Sequence, residues 1–427
     1  MTQSTSGETD GSGEVRSGAI LLVCVLIGGY VISQFFRNSI TVIAPDLARE
    51  LALEATTLSL LASVYYLSFA LVQIPLGMAI DRYGARIAMI VTLLVLIVGT
   101  FWFVFARGYG DLVAARLVIG IGCSSLLMAP LAIYAQRFAP RKFATMAGIH
   151  IGAGNIGTLM ATAPLAHGAA TIGWRGSFFI AGLFACLMTV LVYCFVTENA
   201  AARQERRARS ESLSQLLAGI GAVMRIPHFW AILCVSAMTY PSFAAILALW
   251  AGPWMAHVYD MPLETRGGYL LAMVAAQIVG LFAWGGTDRL FRSYSIPVGL
   301  GLALGATALA VPALIALPRS WLLAYLILCG LAFGFSPVLT AHGRSLFPQA
   351  LIGRGLALIN IGSIGGVFVQ QMLTGLVMAQ FETQLIDGAQ VYPEVAYRTA
   401  FGVLASEVGV AFVLYWRVKD THPDRTH

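Results

Sequence analysis

The chain has 427 residues, of which 58% are hydrophobic and 11% are charged, and it carries a formal net charge of +6. This composition excludes an ordinary soluble globular domain, in which about a quarter of the residues are charged. The apolar stretches are expected to cross a membrane, where backbone groups are satisfied only within helices or a closed barrel. Because runs such as 87–106 lack the alternation of apolar and polar residues typical of barrel strands, the sequence predicts helices.

Twelve apolar stretches are close to the length of about 20 residues that crosses the hydrocarbon core. Before them, residues 1–17 are rich in Ser, Thr, Gly and Glu and lack a secretory signal pattern, so we expect a disordered cytoplasmic tail. The first six spans, in an N-terminal bundle at 18–197, are predicted at 19–43, 57–79, 86–106, 112–134, 143–166 and 176–196. A polar linker is predicted at 198–226. The second six spans, in a C-terminal bundle at 227–417, are predicted at 227–250, 268–287, 294–317, 320–341, 355–379 and 399–416, before a cytoplasmic tail at 418–427.

Basic residues are distributed unevenly between the two sides that these spans define. With both termini in the cytoplasm, eighteen Lys and Arg residues fall on cytoplasmic segments and six on outer segments, while Arg37 and Arg116 lie inside spans. The positive-inside rule requires this bias. It predicts a multi-pass protein with cytoplasmic termini whose basic linker contacts membrane lipid, and it leaves no reason to expect a nucleic-acid partner.

The second half of the chain repeats features of the first at a nearly constant offset. Two parallel six-helix repeats usually place a substrate site near the membrane midplane, at the interface between them. At an offset of 207 residues, Asp81-Arg82 matches Asp288-Arg289, and the pair Pro130 and Arg137 matches the pair Pro337 and Arg344. Pro45 matches Pro253 at an offset of 208, and 149–152 match 359–362 at an offset of 210.

The loop 77–86 reads G-M-A-I-D-R-Y-G-A-R, which resembles the signature G-x-x-x-D-R-x-G-R-R of the major facilitator superfamily, with Ala85 as the one departure. A degenerate copy of this motif, with Asp288, Arg289 and Arg292, follows span 8, and Trp284 stands at the position of the first glycine. The resemblance covers 17–417 and implies an all-α integral membrane fold of twelve helices that transports by alternating access. It also implies a charge network that locks the cytoplasmic side, formed here by Gly77, Asp81, Arg82, Gly84, Arg86, Asp288 and Arg289. A plain positive-inside loop would explain only the arginines.

Arg37 is the most informative single residue, because it lies in span 1 with apolar residues on both sides. A buried arginine is costly in a membrane and normally faces a cavity or a partner. Its guanidinium fork suits a carboxylate or a phosphate. The segment resembles helix 1 of the anion:cation symporters and the organophosphate:phosphate antiporters, although span 7 has no matching arginine. The alternative is that Arg37 extends to the outer lipid headgroups.

Other polar residues inside the spans are candidates for substrate binding or coupling. Arg116 begins R-x-x-x-G-x-G, a pattern that resembles one linked to coupling in the superfamily, but it could instead pair with Asp111. His150 could accept a proton near neutral pH or could join helices by a hydrogen bond. Glu407 is an intramembrane carboxylate, for which coupling and an interhelical hydrogen bond are the two interpretations. The predicted substrate-binding set is Arg37, Tyr65, His150, Asn155, Asn360 and Gln370, and the coupling set is Arg116, His150 and Glu407.

No nucleotide-binding loop, metal cluster or nucleophile constellation is found, so we expect no enzymatic activity, no cofactor and no metal. We expect a monomeric secondary active transporter of the bacterial inner membrane that moves a small organic anion, with a proton or a counter-anion as coupling ion. Proton-driven efflux of an amphipathic drug or metabolite is one alternative, although Ala153 replaces the proline of the drug antiporters in span 5. A transporter-like membrane sensor is the second alternative.

Overall fold

The computed structural model describes residues 11–51, 53–138, 140–197, 213–348, 351–386 and 389–422. A π-helical turn at Ile246–Trp250 joins the helices Phe229–Ala245 and Ala251–Tyr259, and a 3-10 turn at Phe333–Phe335 joins the helices Arg319–Ala332 and Ser336–Ser345. One antiparallel hairpin, β1 Gln384–Ile386 with β2 Ala389–Val391, precedes the last helix. The helices are α1 Gly11–Asn38, α2 Ile40–Leu51, α3 Ala55–Tyr83, α4 Ala85–Val104, α5 Tyr109–Cys123, α6 Ser125–Arg137, α7 Pro140–Met160, α8 Ala163–Phe195, α9 Leu213–Met224, α10 Phe229–Ala245, α11 Ala251–Tyr259, α12 Leu263–Trp284, α13 Thr287–Phe291, α14 Ser295–Leu314, α15 Arg319–Ala332, α16 Ser336–Ser345, α17 Ile352–Met378 and α18 Glu394–Tyr415.

Within the described ranges, eleven helical stretches are long and apolar enough to cross a membrane. One of them, Met146–Phe195, has 50 residues, far more than the about 20 that one crossing needs. Gly173 divides it, because its φ of 77° is a conformation that only glycine adopts readily and that reverses the helix. The stretch is therefore two spans, and the predicted fold of twelve membrane-spanning helices is confirmed.

The twelve spans are numbered in chain order. Spans 1, 4, 7 and 10 each consist of two helices in line, namely α1 with α2, α5 with α6, α10 with α11, and α15 with α16. Span 5 is α7 with the first part of α8, span 6 is the rest of α8, and spans 2, 3, 8, 9, 11 and 12 are α3, α4, α12, α14, α17 and α18. We call the side that holds α9 and the end of span 12 the terminal face, and the opposite side the far face.

Spans 1 and 7 are longer than predicted, because their helices continue through a proline. Span 1 was expected to end at 43 and span 7 at 250, but the helices reach Leu51 and Tyr259. Pro45 and Pro253 lie inside these extensions. The expectation that each proline follows its helix was wrong, and the Leu249 carbonyl that Pro253 leaves without a helical donor accepts a hydrogen bond from Thr41 of span 1.

The chain ends and the linker differ in part from the expected organisation. Helix α1 begins at Gly11, inside the tail that was expected to be disordered over 1–17. Within the predicted linker at 198–226, helix α9 occupies Leu213–Met224. Residues 1–10, 198–212 and 423–427 lie outside the described residues, so the remainder of these segments stays a prediction.

Candidate functional site

Spans 1 and 7 contact each other on the far side, where a proline in each helix leaves one backbone carbonyl without its helical donor. Pro45 has no N–H for the Thr41 carbonyl, and Pro253 has none for the Leu249 carbonyl. Thr41 Oγ1 donates to the Leu249 carbonyl at 3.5 Å, and the Gly252 N–H donates to Thr41 Oγ1 at 3.2 Å. A Cβ atom at Gly252 would stand 1.9 Å from the Thr41 carbonyl oxygen, so this approach requires glycine.

Two further glycines bring the halves together on the same side. In span 8, a Cβ at Gly267 would stand 2.5 Å from Cβ of Ala166 in span 5. In span 11, a Cβ at Gly375 would stand 2.1 Å from Oγ of Ser59 in span 2. Three pairs of helices, one from each half, therefore touch through glycine on the far side.

The hairpin β1–β2 lies at the far face next to these contacts. Tyr392 directly follows β2, and its phenol oxygen accepts a hydrogen bond from the Ala55 N–H at 2.8 Å, which joins the two halves. Burial raises the pKa of the Tyr392 phenol, which keeps it neutral in this contact. An exposed pair, His167 with Glu264 at 3.2 Å, also joins the halves. The far face is closed.

A cavity of about 290 Å³ lies between the halves on the terminal side. Spans 2 and 11 provide most of its lining, and Ile220 of α9 and Met128 of span 4 complete it. The structure thus brings together three predicted site residues, Gly77, Asp81 and Asn360, at this cavity. The described residues thus leave a cavity between the halves on the terminal side, while the far face is closed.

Arg37 lies near the middle of span 1, because the extension to Leu51 places fourteen residues beyond it. Its side chain is 8% exposed, and the guanidinium stands 5.1 Å above the ring of Phe69. Tyr240 of span 7, in the other half, is among the titratable groups near it. Nε is buried without a hydrogen-bond partner, and the guanidinium makes no ion pair with any residue of the described ranges. At this depth it does not extend to the headgroups.

Arg116 is used within the N-terminal half. It is 1% exposed and donates to the carbonyl of Phe36 at 2.7 Å and to that of Leu61 at 3.4 Å. Its guanidinium lies 4.9 Å from the ring centre of Tyr65. The pairing with Asp111 that was considered from sequence is not formed, since Asp111 accepts from the backbone N–H of Arg107. These contacts stabilise the packing of spans 1, 2 and 4, and a role in coupling stays a prediction.

His150 is fully buried between spans 1, 4 and 5. Its Nε2 lies 3.4 Å from the Leu126 carbonyl, which Pro130 leaves without a helical donor, so Nε2 carries the hydrogen and donates. Nδ1 then accepts from the Tyr134 hydroxyl at 3.1 Å, and the ring stacks on Tyr30 at 5.0 Å. These contacts join helices, while substrate binding or coupling by His150 stays a prediction.

Replacing His150 by leucine is expected to lower stability by roughly 2–4 kcal/mol, because the Leu126 carbonyl and the Tyr134 hydroxyl would lose their partner while buried. Thermal unfolding of the purified protein in detergent measures this change. His167→Leu is the matched control, since the side chain of that histidine is 72% exposed and its ion pair contributes little. An unchanged unfolding midpoint together with an altered pH dependence of uptake would favour the coupling role instead.

The other predicted substrate-binding residues are in different surroundings. Tyr65 is fully buried, and its hydroxyl donates to the Ser33 carbonyl at 3.4 Å. Asn155 donates to the Ile151 carbonyl of its own helix at 3.2 Å. Gln370 is buried beside Glu407 of span 12, with which it shares a side-chain hydrogen bond. Only Asn360 lines the terminal cavity, and the binding role of the whole set stays a prediction.

Three residues were absent from the predicted site set. The structure places Tyr30 and Gln34 on the helix face of Arg37, and it leaves Gln371 buried without a hydrogen-bond partner. Tyr30 and Gln34 precede Arg37 by seven and three residues in α1 and share its helix face. That spacing was the available signal. Gln371 is, like its neighbour Gln370, an intramembrane amide that could line a cavity, and the sequence did not tell which of the two faces span 2.

The loop between spans 2 and 3 owes its shape to Gly84, whose φ of 97° ends α3 and begins α4. Arg86 donates to the Tyr193 carbonyl of span 6 at 2.7 Å, and its guanidinium lies 5.4 Å from that ring centre. Arg82 lies over the ring of Tyr83. In the second loop, the Asp288 carbonyl accepts from the Ser293 N–H. Gating by the predicted residues stays a prediction, since it concerns a state other than this one.

Comparisons with known proteins agree with this architecture. A structure of a bacterial homologue of the human lysosomal transporter Spinster matches with a TM-score of 0.75 at 16% identity, over 92% of this chain and 95% of that one, which shows the fold. The gentisate transporter of Corynebacterium glutamicum is 26% identical over 89% of this chain and 88% of its own length. The nitrite extrusion protein of Bacillus subtilis is 26% identical over 52% of each chain, so the match spans about half of that relative.

The part of the chain that the structure describes holds no group of three or more side chains able to bind a metal. Its long apolar helices, together with relatives that are named as transporters, indicate a multi-pass membrane transporter rather than an enzyme. The sequence model of the Major Facilitator Superfamily matches residues 26–370. The chain belongs to the Major Facilitator Superfamily.

Proposed function

We propose that this protein is a secondary active transporter that moves a small organic anion by alternating access, in symport with a proton or in exchange for another anion. Its halves are assigned to 18–197 and 227–417. The positive-inside bias supports a cytoplasmic location for the terminal face and for both termini, in a bacterial inner membrane. With that orientation, the cavity between the halves lies on the cytoplasmic side. We further propose that the protein acts as a monomer.

The observation that carries this proposal is the state of Arg37. A buried guanidinium without an anionic partner is unfavourable at mid-depth, because desolvation is not compensated by an ion pair. A carboxylate entering between the halves would supply both the charge and the hydrogen-bond acceptors that the fork requires. Relatives named for gentisate and nitrite, both of which are anions, are consistent with such a substrate.

Uptake into liposomes that contain the purified protein tests the proposal. Gentisate, glucuronate and nitrite are offered with an imposed proton gradient or with the same anion loaded inside, and methyl gentisate serves as the neutral control. We expect at least one anion to accumulate, and we expect no protein-dependent movement of the ester, which cannot pair with Arg37. Transport of neutral or cationic amphipathic compounds without anion uptake would contradict the proposal and favour efflux.

A further inference from the structure

Aromatic side chains surround the guanidinium of Arg37. Phe69 lies against it, and the phenols of Tyr30, Tyr65, Tyr66 and Tyr240 are its electrostatic neighbours. Span 1 contributes one of these rings, span 2 contributes three, and span 7 contributes one. An anion that binds Arg37 therefore has the ring of Phe69 beside it and tyrosines nearby.

The charge of this region limits the charge of the ligand. Arg116, the other arginine of the N-terminal half near Tyr65 and Tyr66, is already bonded to three backbone carbonyls. Arg37 makes no ion pair among the described residues, and the groups that act on it most strongly are tyrosines. One positive charge is thus available, and it matches one carboxylate.

A second polar group is buried without a hydrogen-bond partner in the C-terminal half. Gln371 is fully buried, and neither its Nε2 nor its Oε1 has a hydrogen-bond partner. Gly375 lies four residues later on the same face of α17 and packs on Ser59 of span 2. Gln371 therefore faces span 2 one helical turn closer to the terminal face.

Gln371 and Arg37 approach the same part of span 2 from two sides. Spans 2 and 11 run in opposite directions. The part of span 2 that lies one helical turn from Ser59 toward the terminal face is therefore 63–66. Tyr66 in this region donates its hydroxyl to the backbone carbonyl of Arg37 at 3.1 Å. An amide that offers one donor and one acceptor is thus placed within about one helical turn of the depth of the arginine.

We propose that the substrate is an aromatic monocarboxylate with a hydroxyl or similar polar group on the ring, held by Arg37 at the carboxylate and by Gln371 at the polar group. This proposal rests on the proposed transport of an anion at Arg37. A flat ring stacks favourably against the tyrosines. A polyhydroxylated aliphatic acid would instead bury several hydroxyl groups against ring faces that offer them few hydrogen bonds.

Calorimetric titration of the purified full-length protein tests the preference for an aromatic ring and the role of Gln371 separately. The probes are 4-hydroxybenzoate, benzoate and cyclohexanecarboxylate, which differ in one hydroxyl and in the aromatic character of the ring. We expect 4-hydroxybenzoate to bind at least tenfold more tightly than cyclohexanecarboxylate, and several-fold more tightly than benzoate. In Gln371→Leu the advantage of the hydroxyl should disappear, while the affinity for benzoate stays within about twofold. Gln380→Leu, an exposed residue in the turn that follows the same span, should change neither.

The remaining outcomes separate this inference from the proposed function. Equal affinities for benzoate and cyclohexanecarboxylate would overturn the aromatic preference, and an equal loss for all probes in Gln371→Leu would overturn the specific role of Gln371. Binding of glucuronate or nitrite without any aromatic acid would overturn the substrate class and leave anion transport intact. Binding of no anion of any class would overturn both.

Discussion

Replacement of Arg37 by methionine is expected to abolish anion uptake without lowering the stability of the empty protein. Loss of one partner of a buried charge pair costs about 2–5 kcal/mol in binding, which corresponds to an affinity on the order of 10²- to 10³-fold weaker. In the empty protein the guanidinium has no anionic partner among the described residues, so its removal relieves an unfavourable burial. Uptake into liposomes and thermal unfolding in detergent measure the two effects.

Arg116→Met is the matched control, because both arginines are buried and belong to the same half. Arg116 donates to three carbonyls, and the loss of these hydrogen bonds from a charged group should make this variant unfold at a lower temperature. Arg37→Lys keeps the charge but loses the planar fork and should show intermediate affinity. A lower unfolding temperature for Arg37→Met in the absence of anion would show that Arg37 is a structural residue and not a ligand for substrate.

Replacement of Gly252 by valine is expected to prevent closure of the far face and so to stop transport in a protein that still inserts. Any Cβ at this position would overlap the Thr41 carbonyl oxygen at 1.9 Å, and both atoms belong to helix backbones that cannot move aside separately. Separation of spans 1 and 7 removes the overlap. The population should therefore shift toward the state that is open at the far face.

Labelling of a cysteine introduced at Thr41 reports this shift, with the native cysteines replaced. In the wild type, Thr41 is 1% exposed and should react slowly with a membrane-impermeant thiol reagent, whereas in the Gly252→Val background it should react at least tenfold faster. Gly268→Val is the control, because nothing lies within 4 Å of a Cβ there. Unchanged labelling together with normal uptake in Gly252→Val would show that this contact does not close the far face.

Several parts of the fold could be predicted because they depend on residues close together in the chain. A run of about 20 apolar residues requires a membrane helix whatever surrounds it. The loop 77–86 carries its own signal, and Gly84 indeed takes the conformation that glycine permits. The repeat could also be predicted from neighbouring residues. Pro45 and Pro253 remove the helical donors of the Thr41 and Leu249 carbonyls, which are also 208 residues apart.

The candidate site was less predictable, because its meaning depends on partners from distant segments. Arg37 stood out in sequence, but its depth followed from helices that continue through Pro45, which the rule that a proline ends a helix did not anticipate. His150 had two interpretations, and the Leu126 carbonyl favours the structural one. Gln371 could not be distinguished from Gln370 until packing placed one toward span 2 and the other beside Glu407.

The sequence by itself determined that this chain spans a membrane twelve times, that its halves are repeats, and which superfamily it resembles. The length of the apolar runs, the constant offset between the repeats and the loop motif at 77–86 can all be recognised in the linear sequence. Only the tertiary structure decided which face of the protein is closed, which buried polar groups lack partners, and that rings from spans 1, 2 and 7 surround one arginine. The physical reason is that a buried polar side chain is stabilised or left unsatisfied by atoms from other helices, whose positions depend on the packing of the whole chain.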